Sequence, residues 1–229
     1  MRKFYKTTLG IATAALLVGG LAACSTPAAE PAAPVESSEE EAMADPTPLA
    51  SIPELAGVDT QVTLDAGFVE AITGLGLTPG VTGTATLTDG VLAFPITGGN
   101  VDYYDPAEDY RPYVQGSISH DGSGLQLTGA NGKVVKLENF VVDPGASMLT
   151  GKVTVDGKVA FESAPLFFLD GSTVKPLDTT SSPGEAILAG TTVSLTKEAA
   201  DALNGVFGTT VLTEFFKVGV AEITLTLPS

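Results

Sequence analysis

The chain has 229 residues, with 11 Lys and Arg against 27 Asp and Glu, a formal charge of −16 and 44% hydrophobic residues. So acidic a surface repels phosphate backbones and anionic headgroups, which argues against a nucleic-acid partner and against electrostatic docking on a membrane. One cysteine and one histidine in the whole chain supply neither a disulfide framework nor a zinc-type ligand set.

Residues 1–23 read as a lipoprotein signal peptide. A cationic MRKFYK segment precedes an apolar run from Leu9 to Leu21, too short to stay in a bilayer as a spanning helix. The run closes on Leu21-Ala22-Ala23-Cys24, which resembles the lipobox of bacterial lipoproteins. That resemblance implies cleavage before Cys24, acylation of its thiol and attachment to the extracytoplasmic face of the cell membrane. Removing residues 1–23 takes away three bases and no acid, leaving 8 minus 27, or −19. The lipid must then do the anchoring, each buried methylene contributing about 0.8 kcal/mol.

Residues 24–57 are expected to be a disordered tether rich in Pro, Ala and Glu. From Ser25 to Pro53 there are six acids, no base and almost no large apolar side chain, too little to offset chain entropy. Its reach lies between roughly 30 Å as a coil and about 100 Å as a polyproline rod.

Residues 58–229 read as one compact domain. Gln61–Gly76 and Thr192–Phe207 align without a gap, Gly74 opposite Gly205. Each predicts a short strand, an N-cap (Asp65 or Thr196), about two turns of helix and a glycine able to take the left-handed conformation after it. Phe68 with Ile72, and Ala199 with Leu203, give each helix an apolar stripe. Between and beyond the two copies, period-two runs predict strands at Val81–Leu87, Val91–Ile96, Val114–His120, Leu125–Thr128, Val134–Phe140, Met148–Val155, Val159–Phe168, Ala186–Leu195 and Lys217–Leu227. Asp89-Gly90, Asn131-Gly132 and Asp156-Gly157 fall where tight hairpin turns are needed. The predicted fold is therefore mainly β, an antiparallel β-sandwich with two short helices.

Chemistry concentrates between residues 100 and 124, which hold Tyr103, Tyr104, Tyr110 and Tyr113, every tyrosine after the signal peptide, together with Arg111 and the single His120. These six are the candidate ligand-binding residues, since rigid tyrosine rings give contact area at little entropic cost. The simplest role for Arg111 is an exposed ion pair with Asp109, and alternation places Ile118 and His120 on one inward face. Asp102, Asp105, Glu108 and Asp109 crowd the same stretch, but their spacing matches no calcium loop, and no metal site is assigned. No G-x-S-x-G elbow, Walker motif or dinucleotide glycine pattern occurs, so no catalytic residue is assigned.

Three stretches resemble the HtaA-type domain of actinobacterial envelope proteins. They are Gly116–Leu125, Leu137–Asp143 followed by Leu149–Val153, and Gly190–Leu203, which echoes a closing strand and helix of the form G-V-x-x-x-L-T-x-x-A-A-x-A. The resemblance implies haem as a cofactor. At the family's L-D-W-G segment this chain reads Leu64-Asp65-Ala66-Gly67, Leu75 falls where a tyrosine is expected, and Val206-Phe207 follows the last helix without one. Of the haem-associated positions only His120 carries over, and iron would need a relocated phenolate, Tyr110 or Tyr113, with its pKa lowered by Arg111 or His120. The function expected is that of a non-enzymatic cell-envelope lipoprotein with a ligand-binding sandwich. The alternatives are a structural or adhesive surface module and, third, a carboxylate-based hydrolase. Whether the partner is a protein or a small molecule is not written in the sequence.

Overall fold

The computed structural model describes residues 46–55 and 57–227. The expected signal peptide, Cys24 and the part of the expected tether up to residue 45 lie outside the described residues.

Among the described residues, twelve strands form one antiparallel sheet. They are β1 (Ala50–Ile52), β2 (Gly57–Leu64), β3 (Leu77–Gly83), β4 (Thr86–Thr88), β5 (Val91–Pro95), β6 (Gly98–Tyr103), β7 (Val114–Gly129), β8 (Val134–Asp143), β9 (Met148–Val155), β10 (Lys158–Asp170), β11 (Glu185–Leu195) and β12 (Lys217–Thr226). Helix α1 spans Ala66–Gly74 and α2 spans Lys197–Phe207. The order across the sheet is β1-β6-β7-β8-β9-β10-β11-β12-β2-β5-β4, with β3 paired to the second half of β7.

Although β5 and β7 stand far apart in that order, His120 on β7 lies within hydrogen-bond distance of Pro95 on β5 and Thr60 on β2. Phe94 of β5 meets Phe140 of β8 edge to face, with ring centroids 5.3 Å apart. The sheet therefore rolls round until its ends meet, and its inner face encloses the core. The mainly β, antiparallel architecture with two short helices is what the sequence predicts, and the two layers of the sandwich belong to one continuous sheet.

Several elements differ from expectation for identifiable reasons. The folded region starts at β1, earlier than the boundary expected at 57, because Ala50–Ile52 pairs with β6 and buries Ile52 and Leu55. The run predicted as one strand over Val81–Leu87 divides into β3 and β4, which join different parts of the sheet; Gly83, at φ +62, sits at the division. Conversely, Val114–His120 and Leu125–Thr128 are one strand, β7. The Asp121–Gly124 segment does not reverse the chain but shifts its register against β8, a bulge with Gly122 at φ +71 and Asn139 at φ +54. Strand β6 escaped the sequence reading because Gly98-Gly99-Asn100 carries no apolar alternation.

The two strand-cap-helix units form as expected and lie on either side of β12, since β11 and β2 are its two neighbours. Asp65 caps α1 by accepting from the Gly67 N–H at 2.9 Å, and Thr196 caps α2 by accepting from Ala199 at 3.1 Å. Phe68, Ile72, Ala199 and Leu203 are all buried. The left-handed glycines are Gly76 and Gly208, whereas the aligned pair Gly74 and Gly205 lies inside the helices. The buried Thr196 hydroxyl also donates to the Pro165 carbonyl at 2.9 Å. Thr196→Ala is therefore expected to lower unfolding stability by about 2 kcal/mol, and Thr196→Ser to restore most of it, as read from urea denaturation.

Candidate functional site

Rolling the sheet leaves its middle incompletely filled. The inward side chains enclose a cavity of about 560 Å³ whose walls are almost entirely hydrocarbon, including Phe94, Phe140, Phe167, Leu188, Ile223 and Leu225. Small residues at inward positions, Ala186 of β11 and Ala221 of β12, leave the space that larger ones would occupy. Thr60, His120 and Leu125, all buried, belong to the wall. The β6–β7 loop (Arg111 to Tyr113), the β8–β9 turn (Pro144, Ser147) and the segment after β10 (Asp170 to Thr179), which are more exposed, also line it.

The six candidate residues separate into two groups. Tyr103, Arg111, Tyr113 and His120 line the cavity. Tyr103 lies on β6 and meets the Tyr113 ring edge to face at 6.1 Å, and the Arg111 guanidinium sits 5.6 Å from the Tyr113 ring centroid. Tyr104 and Tyr110 pack on each other at 4.6 Å and are not part of the lining. Arg111 is not paired with Asp109. It donates to the carbonyls of Pro106, Glu108 and Tyr110, and so holds the β6–β7 loop in shape. Its acidic neighbours do not gather either: among the described residues, no three His, Cys, Asp or Glu side chains are grouped as a metal would require. The cavity lining holds one carboxylate, Asp170, which accepts from the backbone N–H and hydroxyl of Ser172. A pair of carboxylates of the kind used in glycoside hydrolysis does not face the interior.

His120 and Ile118 share the inward face of β7, as alternation predicts, and each is 1% exposed. Nδ1 of His120 lies 3.1 Å from the Pro95 carbonyl and Nε2 lies 3.3 Å from the Thr60 hydroxyl. A carbonyl only accepts, so Nδ1 carries the proton and Nε2 accepts from Thr60. Burial pushes the imidazole pKa below its ordinary value, against the opposing pull of the Pro95 and Phe94 backbone and of Asp121 and Asp59, so the ring is neutral at pH 7.

The Tyr113 hydroxyl donates to the Gly171 carbonyl at 2.9 Å. Burial, and then the neighbouring Tyr103, raise its pKa, and Arg111 opposes them more weakly. The phenolate expected from the sequence is thus disfavoured. The residues present do not fit an iron-ligated haem: the imidazole has both nitrogens engaged, the Tyr113 phenol is held protonated, and Tyr110 does not line the cavity. Leu75, where the resemblance leads one to expect a tyrosine, caps α1 just before β3, whose first residue, Leu77, pairs with Gly129 at the end of β7 remote from His120.

Sequence reasoning missed the cavity itself, because its walls come from inward residues of nearly every strand. The only local signal is the recurrence of alanine and valine where bulkier side chains would fill a core, as at Ala186, Val193 and Ala221.

No protein-family model matches the chain, and no curated protein matches it in sequence. Among solved structures, the C-terminal domain of HtaA from Corynebacterium glutamicum is similar at TM-score 0.53 and 19% identity, over 78% of this chain and 99% of that domain. The N-terminal domain of HtaA from the same organism gives 0.48 at 14% identity over 76% and 99%. The heme binding protein HtaB, also from that organism, gives 0.46 at 12% over 77% and 96%. The first of these likenesses establishes that the chain has the fold of an HtaA domain.

Proposed function

We propose that the chain is a non-enzymatic binding protein of the cell envelope that takes an apolar small molecule into the interior of its curled sheet. The observation that carries this reading is the cavity. Its volume of about 560 Å³ lies inside the range of roughly 300–1,000 Å³ common to small-molecule sites. Few polar groups reach it, and among them His120, Thr60, Arg111, Asp170 and the Tyr113 hydroxyl are already hydrogen-bonded within the protein. Tyr103, Arg111 and Tyr113 line it beside the β6–β7 loop, His120 is a buried part of its wall, and the Tyr104–Tyr110 pair stiffens that loop. Acylated Cys24 holds this domain at the extracytoplasmic face of the membrane; mass spectrometry showing an unmodified thiol there would refute the anchor.

The test is to fill the space from within. In the purified chain, 1-aminoanthracene, an uncharged apolar fluorophore, is expected to bind saturably. Ala221→Phe, which places a ring in the cavity, is expected to weaken that binding at least tenfold while far-UV circular dichroism stays unchanged. Equal binding by the two proteins would show that the cavity is not the site. Hemin is to be titrated alongside, because haem is what the family resemblance implies. If it enters, its Soret band is expected to be insensitive to Tyr113→Phe.

A further inference from the structure

We infer that the molecule held in this cavity is an aliphatic hydrocarbon chain, recognised by its length and not by its head group. This rests on the proposed binding reading and narrows it to a ligand class. Inside the cavity, the polar atoms of His120 and Thr60 are spent on each other and on the Pro95 carbonyl, so this part of the wall offers no charge and no readily free hydrogen bond. The part of a ligand lying there must therefore ask for none.

The more exposed part of the lining is equally unselective. Its two charged lining residues are Arg111 and Asp170. Arg111 directs its hydrogen bonds to three carbonyls of its own loop, and Asp170 is occupied by Ser172. The Tyr113 hydroxyl is committed to Gly171. One positive and one negative group of this kind have no net preference for an acid over an alcohol, and the head of the ligand stays in water. The acidity of the chain as a whole, at −16, adds no attraction for an anionic head. Affinity then comes from methylenes leaving water, each worth about a fourfold change in the dissociation constant until the cavity is full.

Displacement of 1-aminoanthracene from the full chain by alkanols and alkanoates of 8, 10, 12 and 14 carbons, with hemin as a third competitor, tests this directly. The expected result is a rise in affinity of about fourfold per methylene, reaching a plateau within each series. Alkanol and alkanoate of equal length should agree within a few-fold, and the rise should be lost in Ala221→Phe and shortened in the milder Ala221→Leu. If the fluorophore binds but neither series displaces it, or if acid and alcohol differ more than tenfold, the hydrocarbon-chain inference fails while the binding reading stands. If hemin alone displaces it, with a Soret band altered by His120→Gln, the ligand is a porphyrin and the inference is wrong. If the fluorophore does not bind at all, the binding reading falls first.

Discussion

Gly116→Ala is expected to lower the unfolding free energy by about 3–5 kcal/mol, whereas Gly98→Ala, on the strand paired with it, should leave stability within about 1 kcal/mol of wild type. Gly116 lies in β7 at φ +117, where a Cβ would meet the Asn100 carbonyl oxygen at 2.0 Å. Its counterpart in β6, Gly99, lies at φ +124 with the Ser117 carbonyl 1.9 Å from any Cβ. These two residues flank the Asn100–Ser117 pair diagonally, and both occupy a backbone region that side chains rarely enter. Neither neighbour is a flexible side-chain end, so relief requires the β6–β7 ladder itself to open. Gly98 has an ordinary φ and empty space around its Cα, so an added methyl meets nothing. Urea denaturation of the two variants separates the explanations. Similar small losses in both would show that the paired glycines are not needed to bend β6 against β7. A large loss in Gly116→Ala alone would tie the curl of the sheet, and with it the cavity, to this kink.

The same pair shows why part of the fold was legible in the sequence and part was not. Alternation in Val91–Pro95, Val134–Phe140 and Met148–Val155 marks strands because buried and partly exposed residues alternate along each. The turns at Asp89-Gly90 and Asp156-Gly157 are explicit because both residues of each take positive φ, at 51 and 79° and at 50 and 79°. At Asn131-Gly132 only Gly132 does so, yet the reversal still forms. Strand β6 carries no such pattern: its glycines are there to let two backbones approach, a long-range requirement with no periodic trace. The candidate site was half legible. Composition picked out Tyr103, Arg111, Tyr113 and His120, which do share a cavity, because rare residue types are easy to see. It could not separate them from Tyr104 and Tyr110, nor find the aliphatic walls, because which residues face a common interior depends on how the seven strand pairings from β7 round to β5 accumulate their twist.

His120→Ala is expected to cost about 3–5 kcal/mol at pH 7.5 and distinctly less in acid. The imidazole fastens β7 to β5 and β2, strands to which β7 is not paired, and it packs edge-on against Phe94 at 6.3 Å. Alanine leaves a void where β7 meets β5 and β2 and strips the Pro95 carbonyl and the Thr60 hydroxyl of their partner. The pH dependence follows from the direction of the shift. Because the folded-state pKa lies below the ordinary 6.5, the unfolded chain binds the proton more readily. The stabilisation is complete above 6.5 and is lost as the pH falls through the interval down to the folded pKa, with a limiting slope of about 1.4 kcal/mol per unit. The groups that bear on this titration are Asp59 and Asp121 and the Phe94 and Pro95 backbone. The carboxylates are common to wild type and variant, so the difference between the two proteins isolates the imidazole. Urea denaturation at pH 7.5, 6.5, 5.5 and 5.0 should therefore show the gap between them at its widest at pH 7.5 and narrowing once the pH falls below 6.5. A gap that stays constant over that range would mean that the ring is not held neutral by burial, and that the seam it closes is open to water.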